Sequence, residues 1–281
     1  MASVTLKCLL WNIREGGIDA AGDESRRKKQ LAFLAAQEEV DVMWITEATG
    51  WHRDNGVRFR ELAHATNMTH LPPVTSQVGD GNNHCVAYYN PRTLTEIEST
   101  DRIGKGRFQH GLQRAVFQAS NGTRFLFFGT HLSFSGETAL MQEVGYMADY
   151  GKQFGPYPAE AVTLMDANFL DDSDGEPDWN AMPSNLWHRY RSVQKDGTFG
   201  PADRKARRTL LISGWRDPQK DVAELREPTT GFFYENEKVP LRIDQALYTG
   251  PKISVMDYRT LDTGMMSDHK AVWLVFTLDS P

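Results

Sequence analysis

Carboxylate, amide and imidazole side chains recur where apolar runs of this sequence stop: Asn12, Glu47, His131, Asp166 with Asn168, Asp244, and Asp268 with His269. One such residue is ordinary, because Asn and Asp suit turns and strand ends meet solvent. The repetition carries the argument, since loops leaving one edge of several strands converge on a shared crevice and can build one site there. Oxygen donors without cysteine suit a hard divalent cation such as Mg2+ or Mn2+ rather than zinc. A hard cation, a carboxylate to orient water, and Asn and His donors are what phosphoester hydrolysis needs, because its barrier falls through positioning and charge stabilisation.

The runs that carry these residues read as buried strands. "VTLKCLLWNI" ends before the pair Gly16-Gly17, and "VDVMWITEA" carries Glu47 at its end. Between them Leu31, Leu34 and Ala35 share one helical face, so the chain opens strand, helix, strand, as an α/β core does. Further on, "RAVFQASNGTRFLFFGTHLS" reads as two strands turned at Asn121-Gly122, a strong hairpin signal. "EAVTLMD", "RIDQALYTG" and "HKAVWLVFTL" read as later strands, and "DRKARRTLLIS" as a helix. Hairpins and crossovers are therefore mixed.

The 281 residues carry a formal net charge of -6, which argues against gripping nucleic acid by bulk electrostatics. The N-terminal residues lack a basic stretch followed by an apolar segment, and no run reaches bilayer-crossing length. A soluble, cytoplasmic chain acting as a monomer is expected. Cys8 and Cys85, the two cysteines, lie inside apolar runs and read as reduced, buried thiols. The acidic stretch "DANFLDDSDGEPDW" invites comparison with a calcium-binding EF-hand loop, which needs glycine at position 6. Counted from Asp166 that position is Asp171, and counted from Asp172 it is Pro177, so both registers fail. Asp171, Asp172, Asp174, Glu176 and Asp178 read as a surface turn.

Six of these stretches resemble motifs of the endonuclease/exonuclease/phosphatase superfamily of DNase I-like metal-dependent phosphoesterases. "LLWNIREGG" looks like its first motif, "WITEA" its glutamate motif and "FGTHLS" its histidine motif. "LMDANF" stands where the family has Gly-Asp-x-Asn, "RIDQALYTG" resembles its Arg-Ile-Asp strand, and "MMSDHKAVW" its Ser-Asp-His ending. They occur in the family's order across nearly the whole chain. The resemblance implies a single domain over residues 1–281, a four-layered α/β sandwich of two packed mixed β-sheets flanked by helices. It implies a Mg2+-dependent (or Mn2+-dependent) hydrolase with Glu47 as principal metal ligand, Asn12 beside it, and Asp268 near or on the metal. Asp166 would orient or deprotonate the attacking water, and Asn168 would hold that water or a phosphate oxygen. His269, oriented by Asp244, would donate to the phosphoryl group, and His131 would contact phosphate or help protonate the leaving oxygen. Arg114 aligns with an arginine that binds phosphate in some branches, while an outward strand position is an equally open reading.

Two positions depart from the family pattern: Met165 replaces the glycine before the catalytic aspartate, and Thr46 stands where many members have glutamine. For the phosphate-ester substrate, a nuclease-type phosphodiesterase acting on DNA or RNA is the first expectation. A phosphatase or phosphodiesterase of a small metabolite or lipid headgroup is the alternative, and a binding protein that has lost catalysis the third. The basic and aromatic segment "WHRYRSVQKDGTFGPADRKARR" could hold a nucleic-acid strand, but a solvated helix face is the favoured reading.

Overall fold

In the computed structural model, which describes residues 3–37, 39–222 and 227–281, the expected opening is realised as β1 (Val4–Asn12), α1 (Ser25–Ala35) and β2 (Val42–Thr46). Next come α2 (Arg53–Thr66), the two-residue strands β3 (Thr69–His70) and β4 (Val74–Thr75), and β5 (His84–Tyr89). The middle of the chain holds β6 (Leu94–Thr100), β7 (Leu112–Ala119), β8 (Arg124–His131), α3 (Glu137–Ala148) and β9 (Ala161–Asp166). The last third adds β10 (Arg191–Val193), β11 (Phe199–Ala202), α4 (Lys205–Ile212), β12 (Asp244–Thr249), β13 (Ile253–Leu261) and β14 (Ala271–Leu278).

Two mixed sheets result, one in the order β13-β14-β1-β2-β5-β3 with β4 also on β5, the other β12-β9-β8-β7-β6. A parallel pair needs a crossover. The two parallel pairs, β1–β2 and β8–β9, have theirs through α1 and α3. Side chains alternate across each strand. Leu6, Cys8 and Leu10 meet Phe117, Phe127, Val162, Leu164 and Ala246 between the sheets. On the opposite face of β1, Leu9 and Trp11 pack with Leu34 and Leu62 from α1 and α2. On the far side, Phe128 and Met165 pack with Val144, Met147 and Leu210 from α3 and α4. The layers therefore run helix, sheet, sheet, helix, and strands covered on both faces are apolar throughout rather than alternating. Cys8 and Cys85 are buried free thiols.

The sheets approach closely beside the edge that carries the polar residues. At Gly129 an added Cβ would sit 2.3 Å from the Trp44 ring, and the Trp44 indole donates to Thr130 O at 3.1 Å. The β7–β8 hairpin turns at Asn121-Gly122, with Gly122 at a φ of 87° and the Asn121 side chain accepting from Thr123 N.

The acidic turn needs one correction. Asp171 is buried, with its Oδ2 2.7 Å from Arg207 and 3.0 Å from Arg242. Arg207, also buried, reaches Asp217 at 2.8 Å. Glu176 pairs with Arg204 at 3.4 Å, and Arg208 pairs with Asp172. Arg204, Arg207 and Arg208, three of the seven basic residues of the segment, thus meet the acidic stretch, and the segment is neither a free polyanion track nor a wholly solvated face. Burial alone would raise the Asp171 carboxyl, but Arg207 and Arg242 overcome it and hold it far below the usual range. A carboxylate so depressed contributes its stabilisation above about pH 4 and loses it as the pH falls further. Removing one partner of a buried ion cluster costs about 3–5 kcal/mol. Asp171→Ala should therefore lower the free energy of unfolding by about 3 kcal/mol in urea titration at pH 7, with a smaller deficit near pH 2. An unchanged midpoint would mean the cluster is not structural.

Candidate active site

Strand register brings three of the expected residues into one row. His131 stands opposite Asp166 across β8 and β9, and Asp166 opposite Asp244 across β9 and β12. Alternation places all three on the intersheet side, because Phe127, Leu164 and Ala246, an even number of residues away, lie in the core between the sheets. On the facing sheet, Asn12 ends β1 opposite Thr46 at the end of β2, so Glu47 follows directly beside it. Asp268 and His269 arrive on the loop before β14, the antiparallel neighbour of β1.

Asn12 joins the two sheets here. Its Nδ2 donates to Glu47 Oε1 at 3.0 Å and to Asp166 Oδ2 at 2.9 Å, while its Oδ1 accepts from Arg14 N at 2.9 Å. In this geometry Asn12 bridges two carboxylates through its amide donor, and its oxygen keeps a second lone pair for the metal role expected of it. Glu47 also accepts from Glu15 N at 3.1 Å. Both Glu47 and Asn168 have positive φ, 55° and 50°, a conformation that costs a non-glycine residue about 1–2 kcal/mol. It swings each side chain off its strand axis toward the crevice. Asn168 Nδ2 donates to Leu132 O at 2.8 Å, which leaves its carbonyl oxygen for another partner.

The imidazoles differ in charge. His269 Nδ1 lies 2.7 Å from Asp244 Oδ2 and 3.9 Å from Asp166 Oδ2. Burial disfavours its charge, but these two carboxylates outweigh burial and raise it well above the usual imidazole range. His131, with Nε2 3.4 Å from Asp166 Oδ2, is driven the other way by burial, then by His110 and His269. His110 stacks on it at 3.9 Å between ring centroids and 8° between planes. Burial, reinforced by Asp244, pushes the Asp166 carboxyl up to about 8, and burial also raises Glu47.

These are the conditions a cation would relieve. Asp166 Oδ1 and Asp244 Oδ1 are buried without a hydrogen-bond partner among the described residues, and Asp166, Asp244 and His269 offer ligand atoms within 4.8 Å of one another. His269 Nδ1 is already given to Asp244, so the carboxylates are the better ligands. An all-oxygen donor set fits a hard divalent ion.

Glu47, His131, Asp166, Asn168, Asp268 and His269 line one cavity of about 290 Å3. Asn12 and Asp244 stand behind that lining. Arg114 does not belong to it, and the phosphate-binding expectation is corrected. It projects to the helix side, where it meets Glu98 and the Tyr150 hydroxyl, each at 3.1 Å, and lies over the Tyr157 ring. Met165 stands inside β9 rather than in the turn, with its side chain in the helix-side core. It therefore takes no room beside Asp166. Thr46 is buried, and its hydroxyl lacks a partner among the described residues.

Sequence reasoning did not single out His110 or Glu143. The buried Glu143 carboxylate accepts from Gln109 N at 2.7 Å and Ser133 N at 2.6 Å, so it ties together the loops flanking His110 and His131. Burial, against those two hydrogen bonds, raises it to about 7. Its spacing from Leu140 and Met147 on α3 was the available signal, since residues three and four apart share a helix face.

No protein-family model matches the sequence, and no curated protein does. Solved structures do match in three dimensions. An endonuclease/exonuclease/phosphatase from Bacteroides vulgatus superposes with a TM-score of 0.69 at 16% identity, covering 98% of this chain and 100% of that one. A mannosyl-6-phosphatase from Bacteroides thetaiotaomicron gives 0.62 at 14% identity, covering 96% and 99%. D. rerio TDP2 in complex with a single-strand DNA product gives 0.64 at 15% identity, covering 97% and 98%. Over nearly its whole length, this chain has the endonuclease/exonuclease/phosphatase fold.

Proposed function

We propose that the protein is a divalent-metal-dependent phosphoesterase that hydrolyses its substrate by in-line attack of a water held by Asp166. The observation that carries this reading is the row of His131, Asp166 and Asp244 facing Glu47, Asp268 and His269 across one crevice. Glu47 and Asp268 are the residues that would hold Mg2+ or Mn2+, with Asp166, whose Oδ1 has no hydrogen-bond partner among the described residues, lining the same cavity. The ion supplies charge neutralisation for the phosphoryl oxygens and for the crowded carboxylates. Asn12 fixes the spacing of Glu47 and Asp166 through its two hydrogen bonds. Asp166, ionised beside a cation, orients the attacking water, and the free carbonyl of Asn168 accepts its second proton. His269 keeps Nδ1 on Asp244 and so turns Nε2 to the phosphoryl group as a charged donor. His131, held neutral, serves as a hydrogen-bond donor to phosphate rather than as an acid.

For the substrate, charge pairing favours the second expectation over the first. Arg204, Arg207 and Arg208 of the basic segment are taken up by the acidic turn, and the cavity is walled by Tyr190, Phe233 and Tyr234. We therefore favour a small phosphorylated molecule. The end of a single strand is the second reading, supported by the single-strand DNA product in the D. rerio fold neighbour.

Hydrolysis of p-nitrophenyl phosphate, bis-p-nitrophenyl phosphate, sugar phosphates and single-stranded DNA should appear with Mg2+ or Mn2+ and vanish with EDTA. Asp166→Asn and His269→Ala should each cut turnover by about 10²-fold or more. Absence of metal-dependent hydrolysis on every substrate, or full activity in both variants, would refute the mechanism. A second outcome concerns protons. Because Asp166 sits near 8 without an ion, it is mostly protonated at pH 7, and cation binding must displace that proton. Calorimetric titration with Mn2+ at pH 7 in buffers of different ionisation enthalpy should register about one proton released. Asp166→Asn should release markedly less, and equal release in both proteins would move the proton to another group.

A further inference from the structure

Within the basic segment, most guanidinium groups are occupied by the fold. Arg191 donates to Gly200 O and Phe199 O, Arg204 to Asp171 O and Asp174 O, and Arg207 and Arg208 end on carboxylates. Arg189 is different. Its Nε is shut away from solvent with no hydrogen-bond partner, and among the described residues no carboxylate pairs with it. It lines the same cavity as Asp166 and His269. Its guanidinium carbon lies 4.9 Å from the centroid of the Phe134 ring. Phe134 in turn lies 5.4 Å from His110, which stacks on His131. A run of ring contacts, stacked at His131–His110 and tilted at His110–Phe134, therefore leads from the strand-end histidine to this arginine.

The geometry is held from both sides. The Trp187 indole donates to Trp179 O at 2.9 Å and Met182 O at 3.2 Å, fixing the segment that bears Arg189. At Gly136, which follows Phe134 by two residues, an added Cβ would lie 3.4 Å from His188 O, so the two backbones run close together. Lys205 pairs with Glu137 at 2.7 Å and ties α4 to the start of α3. A planar guanidinium that lies on an aromatic face, lines the cavity and has no acid of its own among the described residues is suited to receive phosphate oxygens in a forked pair of hydrogen bonds.

We propose that Arg189, braced by Phe134, is the arginine that binds the phosphoryl group of the substrate. This rests on the phosphoesterase reading for its substrate, but its test does not require turnover. The probe is inorganic phosphate, titrated calorimetrically into the full-length protein in Mg2+ buffer, with wild type, Arg189→Lys and Arg189→Ala compared. Phosphate affinity should fall about tenfold or more in Arg189→Ala, with Arg189→Lys intermediate because an ammonium keeps the charge and loses the fork. Phe134→Leu should weaken phosphate binding by a smaller factor. The melting temperature of Arg189→Ala should fall only slightly, since the side chain loses its contact with Phe134 but no ion pair among the described residues. On p-nitrophenyl phosphate the same variant should raise KM by a larger factor than it lowers kcat. The proposal is overturned if wild type binds no phosphate, or if Arg189→Ala binds it within twofold of wild type. Phosphate binding that depends on Arg189 in a protein that hydrolyses nothing would leave this inference standing and sink the phosphoesterase reading.

Discussion

Everything around the crevice follows from placing carboxylates side by side on adjacent strand ends out of contact with solvent. Asp166 and Asp244 are neighbours in register, and Asn12 brings Glu47 within one amide of Asp166. Like charges in a buried row cannot all ionise unless opposite charge is supplied. For Asp244 and Asp166 that charge comes from His269, whose Nδ1 faces both, while Arg14 lies 4.0 Å from Asp268. A bound cation would add further opposite charge to this group of acids. Burial and the neighbouring imidazoles His110 and His269 account for the opposite treatment of His131. Stacked on His110 and shut from solvent, it stays neutral and adds no charge to the row.

Strand parity decides which residues take part. In β8, β9 and β12 the site residues continue the intersheet face, as Asn12 does in β1 after Leu6, Cys8 and Leu10. Met165 and Arg114 fall on the other face. Met165 joins the helix-side core, and Arg114, next to the intersheet Ala115, is carried toward Tyr150. A one-residue change of parity moves a side chain across the sheet. The Met165 departure from the family glycine is therefore absorbed by packing under α3 and α4, at no cost to the space around Asp166.

Much of this was legible in the residues. Polar groups ending apolar runs marked the right strand edges, and Asn121-Gly122 marked its hairpin, because both signals are local. Arg114 was misjudged for a physical reason: strands covered on both faces show no polar alternation, so nothing in "GLQRAVFQ" says which face meets the other sheet. The acidic turn was misread because Asp171 meets Arg207 and Arg242 through partners 36 and 71 residues away. A run of acids looks solvated until its counter-ions are placed. Glu143 stayed hidden because a charged residue on an amphipathic helix is expected outside, and only its two backbone donors explain it inside.

The pairing of the acidic turn with the basic segment also shapes the crevice. Once the charges are matched, Leu170, Trp179, Met182, Tyr190, Val239 and Leu241 gather into a small separate core beside the strand edge. That core stands as a wall above the carboxylate row, and Met182, Tyr190, Val239 and Leu241 face the cavity from it. It also removes water from around Asp166 and His269, which strengthens each electrostatic contact made there. Arg204, Arg207 and Arg208, in a segment whose favoured reading was a solvated helix face, thus serve the fold, and the pocket beside them is lined by the polar groups of the strand ends.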